Sequence, residues 1–316
     1  MIVTLTANPS LDRTVQLAAP LVVGEVQQAE SLREDAGGKG INVARVLHSS
    51  GDDVRGVLPL APTDPFAGVL GSDLPTVAVP VTGHARANLT VTDPSGETTK
   101  LNLPGPALDA QTAQTLIDAV VSVCMRDGAE WLALSGSLPP GAPDDFYVEV
   151  IRAVRSRVEN PPAVAVDTSG AALAAVVAAG RPDLIKPNEL ELAELAGIAL
   201  PEGVAIERAV ADIARALVPA KVGAALVTLG GDGAVLVDAG GAWHATIPPD
   251  VRVRSTVGAG DSSLAGYLHA ALAGGSVAER LEAAVRYGSA TAALPGTQLA
   301  APADLPAGEI SLTDLS

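Results

Sequence analysis

Short apolar runs of four or five residues alternate along this chain with alanine-rich stretches of helical period. Trp131-Leu132-Ala133-Leu134 is followed by a glycine-bounded turn at 136–141 and a helical pattern over 146–158. Ala163-Val164-Ala165-Val166 precedes a helical stretch over 171–179, and Asp183-Leu184-Ile185 reads as the next strand. Residues 224–228 read as a further strand, with 234–237 as its hairpin partner across Gly230-Gly231-Asp232-Gly233. Strands that alternate with helices imply βαβ units, hence a mainly parallel sheet with helices on both faces. The expected body is therefore a three-layer α/β/α sandwich. Aromatic residues make up only 2% of the chain, so alanine, valine and leucine must fill the core. That suits helices layered on a parallel sheet better than an aromatic-rich all-β core.

Two segments break the alternation. Residues 15–32 are too polar for a core helix. Residues 87–103 alternate apolar and polar side chains (Leu89, Val91, Leu101, Leu103) around the turn Asp93-Pro94-Ser95-Gly96, a hairpin signal. Together they predict a small antiparallel β lid, formed by about 13–34 and 85–104 and inserted into one α/β domain spanning 1–316. A few-stranded sheet leaves an apolar face uncovered, so it must pack on a cleft or on the same sheet of a second subunit. The tail beyond Ala300 says little.

Charge narrows the partners. With 316 residues and a net charge of −16, the chain repels nucleic acid and anionic membrane surfaces. Its single cysteine, Cys124, excludes an internal disulfide and lies in an apolar-periodic stretch that reads as buried helix. No long apolar run suggests a membrane span, and the chain opens on strand-like Ile2-Val3-Thr4-Leu5-Thr6, so a soluble cytoplasmic protein is expected.

Four clusters carry chemistry. Ser255-Thr256-Val257-Gly258-Ala259-Gly260-Asp261-Ser262-Ser263 leads into a helical pattern. Glycines before a helix let successive N–H groups converge on an anion, helped by the helix dipole. Asp261 has two readings here: an ordinary N-cap, or a carboxylate that accepts a proton from a hydroxyl attacking a phosphoryl group. Ala36-Gly37-Gly38-Lys39-Gly40-Ile41-Asn42 also enters a helix, and its glycines explain a tight turn but not the lysine among them. Asp12 follows the first strand, where it faces the ligand crevice of an α/β sheet or serves as a turn residue. Lys186-Pro187-Asn188-Glu189-Leu190-Glu191 is both a capping box and a pattern suited to a water-mediated Mg²⁺ site beside nucleotide phosphates. Neither a Walker A loop nor a dinucleotide-binding G-x-G-x-x-G is present. The four histidines show no ligand spacing and no carboxylate partner.

In this order the clusters resemble the ribokinase-like (PfkB) carbohydrate kinases, over residues 6 to about 297. The most specific pieces are Gly37-Gly38-Lys39-Gly40-Ile41-Asn42-Val43-Ala44-Arg45 and Thr256-Val257-Gly258-Ala259-Gly260-Asp261-Ser262, roughly 215 residues apart, with Lys186-Pro187-Asn188 and Glu191 between. Asn8-Pro9-Ser10-Leu11-Asp12, the run 134–141 with Ser137, and Arg86 are similar to the phosphosugar branch. The resemblance implies Mg²⁺- and ATP-dependent phosphorylation of fructose 1-phosphate at C6, with tagatose 6-phosphate or fructose 6-phosphate as alternatives. It implies Asp261 as base and Gly258, Ala259 and Gly260 as anion hole. Asp12, Gly38, Lys39, Asn42, Arg86 and Ser137 would hold the phosphosugar. Lys186, Asn188, Thr228, Gly230, Gly231, Gly233 and Thr256 would contact ATP, and Glu191 would help hold Mg²⁺. A homodimer through the lid is implied as well. Relatives acting on fructose 6-phosphate carry a lysine in the first lid strand and a glycine in the loop; this chain has Glu25 or Val26 and Lys39 instead. A kinase-fold sensor without turnover is the competing expectation, and the presence of Asp261, its glycines and Glu191 weighs against it.

Overall fold

The computed structural model describes residues 1–201, 203–249 and 251–316. Strand β1 (Ile2–Leu5) opens the body, and β2 (Ser10–Leu17) and β3 (Ala29–Gly37) leave it for a separate small sheet. Helix α1 (Lys39–Ser49) returns to the body, where β4 (Val54–Pro59), α2 (Pro65–Leu70) and β5 (Thr76–Val79) extend one edge. The small sheet is completed by β6 (Arg86–Thr92) and β7 (Thr98–Asn102). Then α3 (Ala110–Asp127), β8 (Trp131–Ser135), α4 (Phe146–Arg157), β9 (Ala163–Asp167), α5 (Gly170–Ala175) and β10 (Leu184–Ile185) alternate. Helices α6 (Glu189–Ala196) and α7 (Ile206–Arg215) precede β11 (Ala224–Thr228), β12 (Ala234–Asp238) and β13 (Gly241–Ala245). The paired helices α8 (Ala259–Leu272) and α9 (Val277–Ala292) and the strand β14 (Leu312–Asp314) complete the chain.

Among the described residues the main sheet has ten strands, in the order β14-β13-β12-β11-β10-β9-β8-β1-β4-β5. Pairing is parallel from β11 to β5 and antiparallel from β11 outward, so the expected hairpin across Gly230–Asp232 is present. Alternate side chains of each strand enter opposite layers. Ile2, Ala133, Ala165 and Leu184 face α1, α8 and α9, while Val3, Leu5, Leu132, Leu134, Val164 and Val166 face α3 and α4, all fully buried. Each such leucine or valine contributes about 1.5–3 kcal/mol through removal from water. Cys124 is 1% exposed in α3, and burial pushes its thiol up to about 12, as suits a packing residue.

From β1 the chain adds strands in one direction (β4, β5), then from β8 in the other. The crevice at the carboxyl ends of β1 and β8 is therefore a topological switch point, the place where open α/β sheets bind ligands.

The small sheet has the order β3-β2-β6-β7. It consists of two antiparallel hairpins, and β2 joins β6 in parallel, a pairing that neither hairpin announces in sequence. It also begins earlier and ends later than 13–34, because Ser10 pairs with both Gly37 and Arg86 directly after β1. The tail adds β14 to the sheet edge and buries Leu315, whose carbonyl accepts from Arg215 at 2.8 Å. No helix among the described residues is long and apolar enough to cross a membrane.

Candidate active site

Helix α8 starts at the carboxyl edge of the sheet. Its N-cap is Gly258, held at φ 76°, a left-handed conformation that glycine adopts without a Cβ clash. Asp261 is thus not the cap. It lies in the first turn, 6% exposed, and its Oδ2 accepts from Asn42 Nδ2 at 2.8 Å. That bond ties α8 to α1 across 219 residues of sequence. The Gly260 and Asp261 amides have no acceptor inside the helix, while the Ala259 amide makes a long 3.4 Å bond to the Thr256 carbonyl, so the turn offers donors at the cleft. Burial, with the nearby Asp167 carboxylate, pushes Asp261 up to about 6, against the pull of Lys39, Asn42 and Lys186.

A cavity of about 520 Å³ opens in front of this turn. Gly258, Ala259, Gly260 and Asp261 line it together with Lys39, Lys186, Asn188, Glu191, Thr228, Gly230, Gly231, Gly233 and Thr256. All residues expected to contact ATP therefore share one wall. Asn188 caps α6 and bridges to Thr228 on β11, which fixes the two loops side by side. Glu191 completes the capping box: its Oε2 accepts from Asn188 N at 2.9 Å, and Asn188 Oδ1 accepts from Glu191 N at 2.8 Å. Apolar side chains, among them Ile247, Val251, Val253 and Val285, close the far end.

Asp167 ends β9 with no solvent exposure, and sequence reasoning passed over it. The signal was available, since it is a carboxylate at the carboxyl end of a parallel strand, the criterion that singled out Asp12. Its Oδ1 lies 2.8 Å from Lys39 Nζ and its Oδ2 3.3 Å from Lys186 Nζ. Burial opposes its ionisation, but the Lys186 and Lys39 charges outweigh burial and hold it below the usual carboxylate range. Burial likewise opposes the Lys39 ammonium, and Asp167 with Asp261 more than offsets this and raises its pKa.

The residues expected to hold sugar fall beside this cavity rather than in it, Lys39 excepted. Arg86 and Ser137 line a second hollow of about 470 Å³ together with Asn8, whose Nδ2 donates to Ser137 Oγ at 3.4 Å. Arg86 Nε and Asn8 Oδ1 are buried without a hydrogen-bond partner at the edge of this hollow. Asp64 fixes the start of β6 by accepting from Ala85 N at 2.6 Å. Asp12, on β2, accepts from Asn88 Nδ2 at 2.8 Å; Asn88 is a second residue the sequence reading left unassigned. Burial raises the Asp12 pKa, against Ser10, Asn88 and Arg86. A β-carbon on Gly37 would collide with the Asp12 carboxylate, so this glycine permits close approach, and Gly38 caps α1 at φ 110°. One histidine expectation is corrected: His269 Nδ1 lies 2.8 Å from Asp52 Oδ2, a pair from distant segments that sequence spacing hides.

Among the described residues, no three His, Cys, Asp or Glu side chains cluster as a metal site. Glu191 is committed to its own helix through one oxygen only. A Mg²⁺ held mainly by water and nucleotide phosphates, with Glu191 at its periphery, fits such a sparse donor set.

Solved structures share this arrangement. Phosphofructokinase-2 from Escherichia coli in complex with potassium matches with a TM-score of 0.87 and 31% identity over 96% of both chains. The same enzyme in complex with substrates and products matches with a TM-score of 0.85. Sheet, lid and cleft are those of a ribokinase-like kinase. The profile of the pfkB family carbohydrate kinases matches residues 5–304, and the chain belongs to that family. The 1-phosphofructokinase of Rhodobacter capsulatus is 36% identical over 290 residues, covering 90% of this chain and 88% of the relative. That of Escherichia coli is 33% identical over 306 residues, covering 94% and 91%. This protein is an ATP-dependent sugar kinase.

Proposed function

We propose that this kinase transfers the γ-phosphoryl group of ATP to the C6 hydroxyl of fructose 1-phosphate, giving fructose 1,6-bisphosphate and ADP. The observation that carries the reading is the buried Asp261 carboxylate in the first turn of α8, which lines the large cavity together with Lys39, Lys186 and the glycine turn and is bonded to Asn42. The names of the relatives from Rhodobacter capsulatus and Escherichia coli support the choice of acceptor.

ATP lies along the 520 Å³ cavity, its phosphates against Lys186, Asn188, Thr228, Thr256 and the turn at Gly230, Gly231 and Gly233. The sugar lies under the small sheet, its hydroxyls bonded to Asp12, the Gly38 backbone and Asn42. Its phosphate takes the unpartnered Arg86 guanidinium, which can grip a tetrahedral oxyanion with two parallel donors, with Ser137 and Lys39 beside it. Asp261, ionised above about pH 6, takes the proton from the C6 hydroxyl as that oxygen attacks. The amides of Gly258, Ala259 and Gly260 stabilise the charge that develops on the phosphoryl oxygens. Bound Mg²⁺ would neutralise nucleotide phosphate charge, with Glu191 positioning it. The lid excludes water, which competes as acceptor.

The apolar side chains on the outside of the lid support a homodimer formed lid against lid. Val23 is 95% exposed, Val26 fully exposed, Leu32 59% and Leu101 56%. A tetrameric inhibited form exists for phosphofructokinase-2 of Escherichia coli, so sedimentation, which separates monomer, dimer and tetramer, is the matching measurement.

The test of the acceptor is a coupled ADP-release assay comparing fructose 1-phosphate, fructose 6-phosphate, tagatose 6-phosphate and fructose. A kcat/KM preference of about tenfold, or 1.4 kcal/mol of transition-state binding, for fructose 1-phosphate is expected. A preference for either 6-phosphate overturns the acceptor assignment and leaves the base in place.

A further inference from the structure

Two of the chain's four lysines, Lys39 and Lys186, enter the cleft from different elements, and both end on one carboxylate. Asp167 receives them 2.8 Å and 3.3 Å from its two oxygens. Its own backbone is gripped from both sides. The Asp167 carbonyl accepts from Gly136 N at 2.8 Å, and the preceding Val166 carbonyl accepts from Lys186 N at 3.0 Å. Gly136 is fixed in turn, because Tyr147 Oη and Thr168 Oγ1 both donate to its carbonyl at 2.9 Å. The backbone that carries the carboxylate is therefore fixed, while the carboxylate itself takes one hydrogen bond, from Lys39 to Oδ1, and an ion pair to Lys186 at Oδ2.

Stability alone does not account for such a group. A buried ion pair adds little net stability, because desolvation offsets its Coulomb gain. An anion placed here also repels incoming phosphates. We propose that Asp167 is a positioning residue, whose carboxylate holds the Lys39 and Lys186 ammonium groups in fixed places around the phosphoryl group in transit. The inference rests on the kinase reading given above. Lysine has a flexible four-carbon stem, and an unanchored ammonium must be ordered when substrate binds. An anchor that is rigid before binding removes that ordering from the reaction.

The two lysines are held to different degrees. Lys186 has a side chain 5% exposed, and its Nζ stands 3.2 Å from where a β-carbon on Gly260 would lie, directly over the first turn of α8. Lys39 begins α1 and its side chain is 38% exposed, so its ammonium reaches Asp167 from the open side of the cleft. Both ammonium groups thus rest against Asp167, Lys186 deep in the body and Lys39 nearer to solvent.

Asp167 also bears on the base. The charged groups that act on Asp261 are Asp167, Lys39 and Lys186, with Asn42 as hydrogen-bond donor, while Glu191 acts on Lys39. Asp167→Asn leaves two ammonium groups facing Asp261 alone, which lowers its proton affinity. Lost packing does not do this.

The experiment is the pH profile of kcat/KM for full-length Asp167→Asn against wild type, with whichever sugar phosphate the wild type turns over. Wild-type turnover by itself decides the kinase reading, and the ratio of variant to wild type bears only on Asp167. We expect kcat to fall about 30-fold or more, KM for ATP to rise, and the acid limb to move to lower pH, with unfolding still cooperative. In a Lys39→Met background, Asp167→Asn should then cost less than roughly threefold further, since both lesions disable one device. A folded Asp167→Asn variant with near wild-type kcat, an acid limb that does not move, or fully multiplicative effects in the double variant each overturn the proposal. If Asp167→Asn does not accumulate folded, Asp167→Glu decides. It keeps the charge but displaces it, so turnover should drop with the acid limb in place, and wild-type turnover overturns the proposal.

Discussion

The carboxyl edge of the main sheet and the small sheet beside it hold their functional groups in opposite ways. At the edge, Asp167 ends a buried strand, Lys186 directly follows another, and Asp261 sits on a helix packed against α9 and α1. Every residue there is anchored by the body. The small sheet has no such support, since β7 is exposed along its whole length and β3 along most of it. It is held at its root, where β2 follows β1. One further tie is the bond from Thr297 Oγ1 to Asp35 Oδ2 at 2.5 Å, which reaches from the loop after α9 to β3. Leu299, in that same loop, packs on Gly258 at the start of α8. The contrast teaches a division of labour within the proposed reaction: Asp167, Lys186 and Asp261 are held by the body before binding, whereas Asp12 and Arg86, two of the groups that would recognise the sugar, ride on the small sheet.

Lesions on the two sides should therefore differ in kind. The largest effect is expected from Asp261→Asn, which should lower kcat about 10²–10⁴-fold with ATP binding retained, measured by steady-state kinetics and calorimetry. Near-normal turnover would remove the base from the body side. Next, Arg86→Ala should raise KM for the sugar phosphate about 10- to 100-fold and leave KM for ATP unchanged, because one charge-assisted contact is lost. Equal effects on both substrates would break the comparison.

The pH dependence is smaller and has a definite sign. Asp261 stands at about 6 in the folded chain against an ordinary 3.8, so kcat/KM should fall as pH drops below about 6. Its ionisation opposes folding, so stability declines as pH rises from about 4 to 6. Asp261→Asn should accordingly raise the melting temperature at pH 8 and change it little at pH 4, where the carboxyl is protonated. On the lid side, Val26→Asp should shift sedimentation toward monomer with the fold intact, and an unchanged oligomer would place the contact elsewhere. The smallest effect is expected from Thr297→Val. It should raise KM for the sugar phosphate by roughly two- to fivefold, a single hydrogen bond's worth. An unchanged KM would show that this tie does not help to place the small sheet.

Much of this was legible without coordinates. The strand-helix alternation, the hairpin at 230–233, the lid hairpin around Asp93 and the burial of Cys124 all follow from local periodicity and turn chemistry. The wall of the cleft was legible too, because loops after parallel strands fall on one edge and glycines before helices mark anion sites. What escaped was pairwise and long-range. Asp167 drew no notice until Lys39 and Lys186 met on it, and Asp261 read equally as cap or base until Gly258 took the cap and Asn42 its carboxylate. His269 found Asp52 across 217 residues, and β2 found β6 in parallel.

By itself, then, the sequence determined the layers, the lid and the set of groups available for phosphoryl transfer, because these depend on spacing along the chain. Only the tertiary structure decided which groups are buried, which face a counter-charge and which stand near solvent. Proton affinity and side-chain freedom depend on burial and on neighbours brought from distant strands, and those distances exist only once the sheet has closed its order.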